Sequence, residues 1–164
     1  MVVDVYFDGC CIPNPGEMSY GFFVIDNSEI KYEEGRKIGY GTNNVAEYTG
    51  ALAALQYCTT NNIPEANIIG DSLLVVNQLN NKWKVKNEKL KIIHSVIKEL
   101  MKNGNYTFKH VYRNFNERAD ILARNALSEG TSPQPSLPKE SESSSSNKRG
   151  ICGVSNRGMA RRFR

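Results

Sequence analysis

The sequence predicts an α/β domain in which helices pack on a mixed β-sheet. Two observations lead to this prediction. Three strand-like segments follow one another with only short turns between them, and each later strand-like segment is separated from the next by helical periodicity. Strands joined by short turns pair antiparallel, whereas strands separated by helices can pair parallel. The predicted element order is βββαβααβα, with helices flanking the sheet.

The individual elements follow from changes in apolar spacing along the chain. The tripeptide DNS forms the predicted hairpin turn between the second and third strands. The spacing then becomes helical, and Thr42 or Asn43 is the expected N-cap of the first helix. The predicted strands are 2–8, 20–26, 29–39, 66–71 and 106–112, and the predicted helices are 42–62, 72–82, 87–103 and 116–127.

The composition excludes several classes of protein. The 164 residues can form one domain with a hydrophobic core, and no apolar run is long enough to span a membrane. The start of the chain lacks the charged and apolar regions of a secretory signal. The four cysteines form no CxxC pair, and His94 and His110 are too scattered for a zinc cluster. We therefore expect an intracellular protein with reduced cysteines and no membrane association.

A domain boundary is predicted near Gly130. Residues 1–129 form the folded domain, and residues 130–164 form a disordered Ser/Pro-rich linker followed by a basic tail. Residues 1–130 contain 14 Lys and Arg against 15 Asp and Glu, whereas residues 131–164 contain 7 against 2. The net positive charge therefore derives from the tail. The tail either binds nucleic acid, directs the protein to the nucleus, or is a basic extension without a function.

Four acidic residues occupy positions on otherwise apolar elements. Asp8 and Asp71 end two apolar predicted strands, and Glu47 and Asp120 lie in the first turns of two predicted helices. A single acid at such a position is common, because it terminates strands or favours the positive end of a helix dipole. Four acids that met without basic partners would repel one another unless cations neutralised them.

The ligand chemistry of these acids indicates the kind of cation. Carboxylate oxygens without neighbouring His or Cys favour a hard ion such as Mg²⁺, with Mn²⁺ as a possible substitute. Two such ions about 4 Å apart are the usual arrangement for phosphodiester hydrolysis. The residues therefore favour a two-metal nuclease.

Four stretches of the chain resemble the type 1 ribonuclease H family: FDGCCIPNPGEMSYGFFV, TNNVAEYTGALAAL, IIGDSLLVVNQL and NERADILARNA. They occur in family order and cover residues 1 to about 129. The resemblance implies a ribonuclease H-like fold, with a five-stranded sheet whose second strand is antiparallel to its neighbours. It implies an endonuclease that cuts the RNA strand of an RNA–DNA hybrid using two Mg²⁺ ions. Asp8, Glu47, Asp71 and Asp120 would be the catalytic metal ligands, and Glu47 would also sense a ribose 2′-OH.

The resemblance also implies contacts with the hybrid outside the acidic residues. Asn14, Asn43 and Asn44 match positions that contact the minor groove, and Cys11 with its neighbouring backbone would assist them. The asparagines can also make turns and caps at the same time.

A second contact region is indicated by the stretch NKWKVKNEKLK, which places five lysines around Trp83. This pattern is typical either of phosphate contact or of a solvated helix face with the tryptophan in the core. The resemblance favours nucleic-acid contact by Trp83, Lys84 and Lys86. It also makes Arg113 the candidate substitute for a histidine that many family members have before the last helix.

Some expectations remain open at the level of sequence. The interval between Asp71 and Asp120 has no room for the extra basic helix of many family members, so affinity is expected to be modest or to depend on the tail. Two alternatives to ribonuclease H activity stay open. One is a related nuclease of the resolvase or transposase type, and the other is a non-catalytic hybrid- or RNA-binding module. We expect a monomer without identifiable protein partners. Primer removal, clearance of transcription-linked hybrids and support of reverse transcription are all compatible roles.

Overall fold

The computed structural model describes residues 2–129 and 132–134 of the chain. One sheet of six strands has the spatial order β5-β4-β1-β2-β3-β6. Short 3₁₀ turns at Met101–Asn103 and Arg113–Phe115 flank β5. The strands are β1 (Val3–Ile12), β2 (Gly16–Asp26), β3 (Glu29–Gly41), β4 (Glu65–Gly70), β5 (Asn105–His110) and β6 (Ser132–Gln134), and the helices are α1 (Asn43–Thr60), α2 (Leu73–Leu79), α3 (Glu88–Leu100) and α4 (Glu117–Glu129).

The predicted order βββαβααβα is confirmed for β1 to α4. As predicted, β2 is antiparallel to both of its neighbours, whereas β4 is parallel to β1 and to β5. The three-residue strand β6 is an addition to the expected five strands, because it pairs antiparallel with β3 at residues assigned by sequence to the linker. The boundary near Gly130 stays a prediction, and the expectations for residues 135–164 fall outside the described residues.

Local sequence explains the hairpin that joins β2 to β3. Asn27 and Ser28 connect β2 to β3, and both have positive φ angles of 58° and 62°. A two-residue loop with positive φ at both positions matches the right-handed twist of the flanking strands, and asparagine tolerates this conformation well. The predicted turn is therefore confirmed.

The hydrophobic core lies between the sheet and α1. Phe7, Phe22, Tyr48, Leu55 and Ile68 are among its fully buried side chains. None of the described helices is both long and apolar enough to cross a membrane.

Helix α4 covers the opposite face of the sheet. It lies directly on β2 and β3, because Gly21 and Gly35 have no side chains at the contact. A Cβ atom at Gly21 would lie 2.6 Å from the Ala123 backbone nitrogen, which is too close for any real contact. The small residues of the sheet therefore set the position of α4.

Strand β1 corrects one sequence-based expectation. It continues through Asp8 to Ile12, paired with β2 along this whole stretch, so Asp8 does not end the strand. The parallel pairing of β1 with β4 covers only Val3 to Tyr6. Asp8 therefore lies where β1 and β4 have separated, which opens a crevice beyond the carboxyl end of β4. Crevices of this kind are the usual ligand sites of open α/β sheets.

Candidate active site

Three carboxylates from three different elements meet at the crevice between β1 and β4. Asp8, Glu47 and Asp71 each offer one oxygen, and these three oxygens lie within 4.8 Å of one another. Asp8 belongs to β1, Glu47 to α1, and Asp71 directly follows β4. The structure therefore brings together acids that are widely separated in the sequence.

Glu47 reaches the crevice because α1 lies directly against β1. A Cβ atom at Gly9 would be 2.4 Å from the carbonyl carbon of Ala46 and from the backbone nitrogen of Glu47. The glycine next to Asp8 thus allows the helix backbone to touch the strand. α1 begins at Asn43, capped by the Thr42 hydroxyl, and has no acid in its first turn. Glu47 lies one turn further along than the sequence predicted, and it is only 4% exposed.

Asp71 is oriented by Asn116, which directly precedes α4. The Asn116 amide nitrogen donates to Oδ2 of Asp71 at 2.9 Å and to the Phe7 carbonyl at 2.8 Å. Asn116 is fully buried, so its amide is a fixed part of the site. One side chain therefore ties the loop after β4 to β1 and to the start of α4.

Asp120, the fourth predicted acid, lies in the first turn of α4 as expected. Asp120 interacts with the carboxyl group of Asp8, which opposes the rise in the pKa of Asp120 that burial causes. It also forms an ion pair with Arg124, whose Nε lies 3.3 Å from its Oδ2. Asp120 thus borders the three-carboxylate group through Asp8.

The crowding of acids raises their pKa values. Burial, followed by the charge of Asp71, raises the pKa of Glu47 from 4.5 to about 8. Burial, followed by the charges of the other three acids, raises the pKa of Asp8 well above its ordinary value. Burial is also the main cause of the raised pKa values of Asp71 and Asp120.

Nearby positive groups compensate this charge only in part. The Arg113 side chain lowers the pKa values of Glu47, Asp71 and Asp120, but burial outweighs this effect in each case. The Oε1 atom of Glu47 is buried and accepts no hydrogen bond from any described residue. A buried carboxylate oxygen without a donor is costly, and a divalent cation would satisfy it. The residues present therefore fit a metal ion with oxygen ligands.

Comparisons with known proteins agree with this geometry. A family model described as "Reverse transcriptase-like" matches residues 7–126, which include all four acids. The chain belongs to the ribonuclease H family. This family is metal-dependent, as the carboxylate group would require.

Individual relatives extend the comparison. The ribonuclease HI of Halobacterium salinarum is 36% identical over 127 residues, which cover 76% of this chain and 64% of that protein. The chain thus spans less than two thirds of this curated relative. The crystal structure of RNase H1 from the same halophilic archaeon has a TM-score of 0.76 at 35% identity, covering 79% of this chain and 99% of that one. The structure of LC11-RNase H1 in complex with an RNA/DNA hybrid has a TM-score of 0.74 at 30% identity, covering 77% and 97%.

The residues that the ribonuclease H resemblance placed at the minor groove lie beside the start of α1. Asn44 is exposed, and the side chain of Asn14 accepts a hydrogen bond of 3.0 Å from the backbone nitrogen of Asn43. Cys11 was expected to assist these contacts together with its neighbouring backbone, and this stays a prediction. Its thiol is buried and faces the carbonyls of Pro13 and Gly41, so only its backbone and the loop it supports remain available.

Two of the described cysteines, Cys11 and Cys58, are free and buried. The expectation of reduced cysteines stays a prediction for the chain as a whole.

The lysine-rich stretch forms the connection between α2 and α3. Trp83 is 45% exposed, so it is neither a core residue nor fully solvated. Lys31, Lys91 and Lys102 form ion pairs with described glutamates. Lys84 and Lys86 are exposed and belong to no ion pair with a described residue. Their charge is therefore available to an anionic partner.

Sequence reasoning missed two residues that support the site. Asn116 looked like the start of a helix, and only its burial and its two hydrogen bonds reveal its contact with Asp71. Gln78 was assigned only to the second predicted helix, but it is buried and uses both ends of its amide. The signal available for Asn116 was its position at the start of NERAD, four residues before Asp120.

Proposed function

We propose that this chain is an endonuclease that hydrolyses the RNA strand of RNA–DNA hybrids with two Mg²⁺ ions. The observation that carries the proposal is the meeting of Asp8, Glu47 and Asp71, whose oxygens lie within 4.8 Å of one another around an unpartnered oxygen of Glu47. The family and the hybrid complex of a solved relative support the substrate.

The four acids would hold the metal ions. Asp8, Glu47 and Asp71 supply the shared oxygens, and Asp120 supplies a further carboxylate beside Asp8. When bound, the ions activate a water molecule and stabilise the leaving oxygen of the phosphodiester. Mg²⁺ fits an all-oxygen ligand set, and Mn²⁺ would substitute for it.

Other residues of the chain would bind and orient the substrate. Arg113 is exposed and close enough to the acids to influence their pKa values, so it would hold a phosphate of the RNA strand at their edge. We propose that it substitutes for the loop histidine of many family members. Glu47 would also accept a hydrogen bond from the ribose 2′-OH, which distinguishes RNA from DNA.

The flanking surfaces would bind the two strands. Asn14, Asn43 and Asn44 lie together at the start of α1, where they would contact the minor groove. Lys84 and Lys86 would contact phosphates of the DNA strand, with Trp83 packing on its sugars.

The proposal extends to the state of the protein in the cell. Since one chain supplies all four acids, we propose that the enzyme acts as a monomer. We also keep the proposal of an intracellular location, and size-exclusion chromatography and cell fractionation would test these two points.

The decisive experiment is cleavage of three labelled substrates, namely RNA–DNA hybrid, RNA duplex and DNA duplex. Each is incubated with Mg²⁺, with Mn²⁺ or with a chelator. We expect the hybrid alone to be cut, at its RNA strand, and only with a divalent ion. Cutting of DNA duplex but not of hybrid would indicate a resolvase-type nuclease. Binding of hybrid without cutting under any condition would indicate a binding module.

A further inference from the structure

The loop that connects α2 to α3 is attached to the domain by a small set of hydrogen bonds. We call residues 80–86 the lysine loop. The backbone nitrogens of Lys82 and Trp83 donate to the carbonyl of Asn77, at 2.8 and 3.2 Å. The carbonyl of Lys84 accepts a bond of 2.9 Å from the side-chain amide of Gln78. The lysine loop is therefore anchored at both of these points to α2.

Gln78 connects the lysine loop to a second helix. Its side-chain oxygen accepts a hydrogen bond of 2.7 Å from the hydroxyl of Tyr48, a fully buried residue of α1. Gln78 is itself only 6% exposed. Because Nε2 donates to one carbonyl and Oε1 accepts from one hydroxyl, reversing the amide would place its oxygen against the Lys84 carbonyl. The orientation of the side chain is thus determined by its two partners.

Tyr48 follows Glu47 directly in α1. The hydrogen-bonded series Tyr48–Gln78–Lys84 therefore starts one residue from the carboxylate group and ends in the lysine loop. α3 reinforces it, because the His94 ring nitrogen lies 3.0 Å from the Gln78 carbonyl and the Lys98 ammonium 2.5 Å from the Leu79 carbonyl. A shift of the lysine loop relative to Glu47 would break hydrogen bonds that are buried or partly buried, which is costly.

We propose that Gln78 is a positioning residue for substrate binding, which holds the lysine loop at a fixed distance from Glu47. Phosphates bound by Lys84 and Lys86 would then lie at a set number of nucleotides from the cut site. The inference rests on the proposed function, since it assumes that the lysine loop contacts the hybrid. The rigid attachment would also explain how the short lysine loop can replace the extra basic helix of many family members. A loop that is already ordered loses less conformational entropy when it binds the substrate.

The test measures how Gln78→Met changes KM in two backgrounds, namely the native protein and the double variant Lys84→Ala/Lys86→Ala. Methionine has a similar volume but leaves the Tyr48 hydroxyl and the Lys84 carbonyl without their partner. KM and kcat for hybrid cleavage are measured for the native protein, Gln78→Met, the double variant Lys84→Ala/Lys86→Ala, and the triple variant. The matched control is Tyr106→Phe, which removes another buried hydroxyl bond, of 2.6 Å to the Ile63 carbonyl outside the lysine loop.

We expect Gln78→Met to raise KM by about tenfold and to change kcat by less than about twofold, because bound substrate still reaches intact carboxylates. In the Lys84→Ala/Lys86→Ala background the same substitution should raise KM by less than about twofold, because Gln78 affects substrate binding only by positioning these two lysines. Tyr106→Phe should lower the melting temperature without raising KM. If Gln78→Met does not fold, Tyr48→Phe, which removes the other end of the series, decides the question with the same two backgrounds.

Any of three results would overturn the inference. They are an unchanged KM in Gln78→Met and Tyr48→Phe, an equal rise in KM in both backgrounds, or a normal KM in the lysine double variant. Failure of the proposed function is distinguishable, because the native protein would then not cut the hybrid at all. If the native protein cuts but the lysine double variant has a normal KM, the inference fails and the activity stands.

Discussion

Asn116 donates a hydrogen bond of 2.9 Å to the carboxylate of Asp71 from a fully buried amide. The same nitrogen donates to the carbonyl of Phe7, the residue before Asp8. Asp8 on β1 and Asp71 after β4 therefore depend on one amide for their relative position. The relationship is also electrostatic. Burial raises the pKa of Asp71, and the hydrogen bond from Asn116 opposes this rise and so favours the charged form.

Substitution Asn116→Ala should impair catalysis more than binding. Loss of both bonds frees Asp71 to move, so kcat should fall by about 10- to 100-fold, and stability should fall by about 1–3 kcal/mol. Hybrid cleavage and thermal unfolding measure the two effects. The control is Asn67→Ala, which removes a similar bond of 2.8 Å between an asparagine amide and Asp4, outside the site. A normal kcat in Asn116→Ala would show that Asp71 is held by other contacts.

Neutralising one acid of the carboxylate group should abolish cutting and stabilise the metal-free fold. Asp8→Asn and Asp71→Asn each remove a ligand and also relieve like-charge repulsion at a buried site. Without divalent ions the melting temperature should rise by several degrees, since about 1 kcal/mol corresponds to a few degrees in a domain of this size. Asp4→Asn, on the same strand as Asp8, should keep its activity. A lower melting temperature in both site variants would contradict the account of crowded acids.

The stability of the metal-free protein should fall as pH rises from about 5 to 8. Burial raises the pKa of Glu47 to about 8 in the folded state, against an ordinary value of 4.5. Between these values the folded protein binds a proton that the unfolded chain has released, so a higher pH favours unfolding. Chemical denaturation across this range, with chelator present, measures the effect, and Glu47→Gln should flatten the curve. A stability that rises over this interval would be inconsistent with the raised pKa.

Substitution Gly9→Ala should disrupt the carboxylate site by displacing the helix that carries Glu47. The added methyl group would collide with the backbone of Ala46 and Glu47 and displace α1 from β1. Overpacking of this kind costs about 1–3 kcal/mol, and activity should be lost with it. Gly39→Ala is an informative contrast, because a Cβ there meets open space although φ is +102°. That variant should lose some stability through backbone strain and keep its activity, whereas full activity in Gly9→Ala would contradict the close contact.

Removal of two lysines should weaken the salt dependence of hybrid binding. Each phosphate contact contributes about 0.7–0.9 to the slope of log affinity against log salt, so Lys84→Ala/Lys86→Ala should reduce the slope by up to about 1.8. Binding is measured by fluorescence anisotropy with chelator present. The control is Lys31→Ala/Lys102→Ala, because these lysines already pair with Glu29 and Glu99. An unchanged slope in the first variant would mean that the lysine loop does not touch phosphates.

The order of the elements and the three acids that meet at the crevice, Asp8, Glu47 and Asp71, could be predicted from the sequence, and for a physical reason. Periodicity records which face of a segment is buried, and an acid on a buried face is costly enough to be noticeable. The hairpin at Asn27 and Ser28 was equally visible, because so few residues adopt its conformation. Glu47 could thus be singled out from the small apolar residues that share its helix face.

Other features were decided only by tertiary structure, because they depend on contacts between segments distant in the chain. β1 continues past Asp8 because it pairs with β2, and the crevice opens because β1 no longer pairs with β4. Residues 2–8 by themselves determine neither of these two changes in pairing. The contact of Asn116 with Asp71 and that of Gln78 with Tyr48 join residues 45 and 30 positions apart. Sequence by itself determined which groups could perform the chemistry, and the packing of α1 and α4 on the sheet decided where they meet, since that packing depends on the space left by Gly9 and Gly21.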